Sequence, residues 1–308
     1  MLEFLRFFCL KLAVLLLLAG CAERPTPRPG PPQERQIGTP QASEALQEYY
    51  HQLEATLRSR GLLRTDRRAK DVPFNKRDLL ANFEAVAFYD EYQRGSAFET
   101  SNGQNAKLSK WAAPIRVKVH FGRSIDKSTQ EQDENYVSDF VSKLAQVTNH
   151  PMQMVSKNSN FDILISREDE RPMMLDSLKA QGAPFGSAAN RIITQMPRNI
   201  HCLVLAFSAP ETEDVYSHAL AVIRAEHPDI LKHACIHEEI SQGLGLSNDS
   251  PRARPSIFND DDEFAFLTFH DEILLKMLYD PRLSPGLSLD EARPILQQIA
   301  LELSPSGT

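Results

Sequence analysis

One stretch constrains the fold more than any other: PDILKHACIHEEISQGLGL, residues 228–246. On a wheel of 100° per residue, Ile230, Ile236, Ile240 and Leu244 form one apolar face. Leu231, Ala234, Cys235 and Leu246 form a second face on the far side. A helix that is apolar on two sides has to lie between other layers, so this one is expected in the middle of the molecule. Glu238 and Gln242 are one turn apart within the second stripe and are therefore neighbours. A carboxylate on such a face is costly unless it is paired, protonated or bound to a metal. The same stretch thus fixes an architectural centre and a candidate site.

Strand and helix patterns surround it. PIRVKVHF (residues 114–121) alternates strictly, with Ile115, Val117, Val119 and Phe121 on one face and Arg116, Lys118 and His120 on the other, as a half-buried strand does. DENYVSDFVSKLAQVT has helical spacing. FDILISRED reads as a strand. NIHCLVLAFS is a strand with a continuous apolar centre, expected inside the sheet, and VYSHALAVIRAE is a further strand just before the motif helix. The order strand, helix, three strands, helix predicts an α+β domain with a mixed sheet. Upstream, residues 42–61 and 75–93 have helical spacing, and residues 94–109 read as a loop.

The N-terminus is a different kind of segment. MLEFLRFFCLKLAVLLLLAGC places Arg6 and Lys11 before the apolar run 12–18 and ends in Leu-Ala-Gly-Cys. The run is shorter than the roughly 18–20 residues of a membrane-spanning helix and reads as an export signal. Its ending resembles the bacterial lipobox, which implies cleavage and lipidation at Cys21, with Ala22 implying release to the outer membrane. The expected organisation is a signal peptide at 1–20, a lipidated Cys21 and proline-rich tether to 41, a helical region at 42–110 and the α+β domain at 111–308. The remaining pair, Cys202 and Cys235, is open to two readings: a disulfide suited to an oxidising compartment, or two buried thiols. A net charge of −7 without a basic stretch argues against a nucleic-acid partner.

The motif itself reads Glu238, Glu239, Gln242, Gly245, Asn248, Asp249. It resembles the metzincin pattern H-E-x-x-H-x-x-G-x-x-H with the ligand histidines replaced. Ser256-Ile257-Phe258 resembles the methionine turn of that group, with Phe258 at the methionine's place, and LTFHDEILLKMLY resembles its closing helix, capped at Thr268. More narrowly, LLRTDR, HEEISQGLGLSND, RPSIFNDDDEFAFLT and LYDPRLSPGLSLDEA resemble an uncharacterised family of exported proteobacterial proteins with a domain of unknown function, many of them lipoproteins. The resemblance implies a zincin-like fold with a central motif helix and a C-terminal helical part. It brings no activity.

Two function classes follow. In one, Glu238, Gln242, Asn248 and Asp249 hold a divalent cation through oxygen, and Glu239 is the general base of a peptidase-like hydrolase. The backbone of SHALAVIRAE would then take an extended peptide as an added strand. In the other, preferred reading, the site is degenerate and the chain is a non-catalytic envelope protein that binds a peptide or protein partner, held at the membrane by its lipid. Zinc favours nitrogen and sulfur ligands, whereas an all-oxygen set suits calcium, magnesium or manganese. His233, His237 and His270 read as solvated surface residues, and NDDDE (residues 259–263) as a solvated turn without EF-hand spacing.

Overall fold

The computed structural model describes residues 40–89, 106–209, 211–259 and 261–304. The signal segment, Cys21, the tether and most of the 94–109 loop lie outside the described residues. The described residues fall within one compact unit. No described helix is long and apolar enough to cross a membrane.

The unit is α+β, with a six-stranded sheet and eight helices among the described residues. In chain order it runs α1 (Pro40–Ser59), α2 (Lys76–Ala87), β1 (Lys110–Trp111), β2 (Ile115–Phe121), α3 (Lys127–Thr148), β3 (Met152–Met154) and β4 (Phe161–Ser166). It continues with α4 (Arg171–Ala180), α5 (Ser187–Thr194), β5 (Cys202–Ala209), β6 (Thr212–Arg224), α6 (Asp229–Gln242), α7 (Phe269–Leu278) and α8 (Leu289–Leu303). Strands β3, β2, β4 and β6 are neighbours in that order and parallel. β5 lies antiparallel on the outer side of β6, and β1 pairs with Val215 and Tyr216 of β6.

This order corrects two expectations. β5 is an edge strand among the described residues, not an internal one. Its apolar centre has another cause: Leu203 packs with the core on one face of the sheet, and Cys202, Val204 and Ala206 pack with the core on the other. β6, which contains SHALAVIRAE, pairs with β5 on one side and, over Ala219–Arg224, with β4 on the other, so that part of the stretch has no open edge to offer a peptide.

Local chemistry explains the element ends. Asn75, Thr268 and Ser288 each cap a helix in a reciprocal box with Asp78, Asp271 and Glu291. Asp126 caps α3, which begins at Lys127, six residues before the Asp133 that opens the predicted helix. Ile115, Val117 and Val119 face the main core with Val137, Val141 and Leu144 of α3. The opposite face, through Leu164, Leu220 and Val222, is covered by α4 and α5. α2 brings Leu79, Phe83 and Val86 into the main core, so the N-terminal helices are built into the fold.

Candidate functional site

α6 is enclosed on nearly every side. Of its fourteen residues only Asp229 is exposed. This goes beyond the two apolar faces expected, because the polar edge is covered too. His237 is 6% exposed. Its Nδ1 accepts from Leu267 N at 2.9 Å, so the ring proton sits on Nε2 and is donated to Tyr136 Oη at 3.0 Å. Phe140 of α3 stacks on the ring at 4.0 Å. Burial pushes the His237 pKa down to about 3. His233 is half-buried and stacks on Tyr136 at 3.7 Å. The reading of both as solvated is therefore corrected: the aromatic rings that cover them come from α3 and the loop before α7. His270 is likewise fully buried, against Phe74 and Asn82. In NDDDE, Asn259 is buried and Glu263 binds Arg254 and Arg64, so only part of that turn is solvated.

The predicted ligand residues go to different places. Gln242 Nε2 donates to Asp249 Oδ1 at 2.9 Å, so these two are brought together, but as partners of each other. Asn248 turns away and donates to Ala85 O of α2 at 2.8 Å, while its backbone N–H donates to Val86 O at 3.1 Å. Glu238 and the 3% exposed Glu239 converge instead on Cys202, with one ligand-type atom of each of the three within 4.8 Å of the others. The Cys202 sulfur is bonded to Cys235, with the Cα atoms 5.8 Å apart, so it offers no thiolate. The disulfide ties β5 to the motif helix. The donor set therefore does not fit the zinc that the metzincin resemblance implies: no histidine takes part, two amides spend their N–H groups on protein oxygens, and the one sulfur is oxidised.

The turn after α6 is filled by protein. Trp111 Nε1 donates to Gly243 O at 2.8 Å, and Tyr279 Oη donates to Leu244 O at 3.0 Å. Gly245 has φ +126°, and a Cβ there would run into Ser109 O, so only glycine fits. The Ser256–Phe258 turn is held by the buried Asp271, which accepts from Ser256 Oγ at 2.5 Å, Ile257 N at 3.1 Å and Thr268 N at 2.9 Å. Phe258 is fully buried.

A second polar constellation was missed in the sequence. Asp162 of β4 is 3% exposed and accepts from His120 Nε2 of β2 at 2.8 Å, His218 Nε2 of β6 at 2.9 Å and Ser159 Oγ at 2.6 Å. Burial alone would raise its pKa. The three hydrogen bonds outweigh that and hold the carboxyl well below the usual range. The signal was an aspartate set between Phe161 and the apolar run Ile163–Ile165 in the strand FDILIS.

A family model described as protein of unknown function (DUF2927) matches residues 76–298. No curated protein matches the chain.

Proposed function

The chain belongs to the family described as protein of unknown function (DUF2927), and from this premise we propose that it is an exported, lipid-anchored and non-catalytic protein of the cell envelope, whose degenerate metzincin-like helix serves as the structural spine of a partner-binding domain. The carrying observation is the Gln242–Asp249 hydrogen bond, which makes two of the four expected ligand positions satisfy each other. The donation from Asn248 to α2, and the Trp111 and Tyr279 bonds into the following turn, support the same reading. Where a hydrolytic site needs an open coordination position, this helix carries packed side chains. The Cys202–Cys235 bond agrees with life in an oxidising compartment. Lipidation at Cys21 and an outer-membrane location facing the periplasm complete the proposal.

The test has two arms. Radiolabelled palmitate is incorporated by the wild-type chain and not by Cys21→Ala. A Glu239→Gln chain complements a deletion strain fully. Loss of function in Glu239→Gln, with the protein folded and lipidated, overturns the non-catalytic reading. A second reading, a metal-dependent peptidase-like hydrolase with Glu239 as general base, draws on the convergence of Glu238 and Glu239 beside Cys202. Its donors do not fit a catalytic metal, since no histidine takes part and the one sulfur is in a disulfide.

A further inference from the structure

The His120–Asp162–His218 constellation is independent of the motif helix and lies on the opposite face of the sheet, the one covered by α4 and α5. A carboxylate buried in an apolar sheet face is expensive, and replacing such a group with packed hydrophobic residues is often neutral or stabilising. Packing therefore does not explain it. Its ionised state fixes the proton positions: Asp162 only accepts, so His120 and His218 both carry their proton on Nε2. In the tautomer that donates from Nε2, the Nδ1 of His120 carries the ring's lone pair. An imidazole that donates one ring N–H to a buried carboxylate while presenting the other nitrogen is the arrangement that orients metal-binding histidines.

His120 also lines a cavity of about 230 Å³ between the end of β2 and α4. The other polar and thioether groups of the lining are Met173, Met174, Glu170, Ser177, Gln181 and Arg123, whose side chain is exposed and can carry its charge out to solvent. Glu170 is already committed to Ser124 N at 2.7 Å and Ser124 Oγ at 2.8 Å. Met173 is 51% exposed, so its side chain is open to solvent at the rim of this cavity, while Met174 is partly buried against the apolar cluster on this face. Methionine is unbranched and flexible, so its thioether can swing toward a fixed imidazole. Thioether and imidazole donors together select a soft cation.

We propose that this groove binds Cu(I) through the His120 imidazole and the thioethers of Met173 and Met174, with Asp162 as the residue that positions the ring. The test uses Ag(I) as a redox-stable probe, on protein with its disulfide intact and any free thiol alkylated. Calorimetry reads affinity, and carbon-13 labelled methionine methyl groups read the contact. One Ag(I) binds per chain and shifts the methyl signals of Met173 and Met174. In Met173→Leu/Met174→Leu, a volume-conserving change that preserves folding, affinity falls at least about tenfold. In Asp162→Asn it falls about 10–100-fold while the same two methyl signals still respond. Unchanged Ag(I) affinity in the double methionine variant overturns the proposal. So does saturation that leaves both methyl signals unmoved, or a groove that takes Zn(II) in preference to Ag(I).

Discussion

His237 carries a pH-dependent cost that its position in the motif did not advertise. Its native pKa, pushed to about 3 by burial, lies below the ordinary histidine value of about 6.5. The unfolded chain therefore takes up this proton first as pH falls. Stability attributable to His237 is complete above about pH 6.5 and declines between there and about pH 3, by at most about 1.4 kcal/mol per pH unit. His227, also pushed down by burial, acts in the same direction. Urea unfolding across this range should give a shallower slope for His237→Gln, which can still accept from Leu267 N and cannot protonate; an unchanged slope contradicts the assignment. Asp271→Ala removes the acceptor for Ser256, Ile257 and Thr268 and leaves buried donors unsatisfied. It should cost about 3 kcal/mol or more in the same assay. Neither role was legible in the sequence. The wheel described the helix by itself, whereas Phe140 and Phe266, which enclose His237, come from segments far away along the chain.

At the scale of elements, the sequence pattern reports which faces are covered and says little about which edges are paired. β5 shows the difference: both its faces meet a core, so it reads as internal, yet it closes the sheet. α4 and α5 are short, ten and eight residues, and were not anticipated, which is why the cover over Asp162 was missed. The Cys202–Cys235 bond spans a separation of 33 residues and fastens β5 to α6. Replacing both cysteines with alanine should cost about 2–4 kcal/mol, read as a lower Tm that reductant no longer affects; an unchanged Tm would mean that the tie is thermodynamically idle. Gly245→Ala should be more damaging than an ordinary surface change. It meets both the left-handed φ and the Ser109 carbonyl, and β1 would have to move, which near-ultraviolet circular dichroism of Trp111 would register.

For the whole molecule, the α+β class and the central place of the motif helix follow from its two apolar faces and from the strand patterns around it. The spacing also nominated Glu238, Glu239, Gln242, Asn248 and Asp249 as a candidate site. What spacing could not contain was the direction in which each side chain turns. Gln242 and Asp249 satisfy each other, Asn248 reaches α2, and Glu238 and Glu239 point at a disulfide. The central claim is that this helix is a spine and not a metal centre. Its most direct test is the divalent-cation content of protein purified without chelators, measured by plasma mass spectrometry for wild type, Glu238→Ala and Glu239→Gln. The account predicts no cation whose amount depends on either glutamate. One divalent cation per wild-type chain, lost in Glu238→Ala, would contradict it.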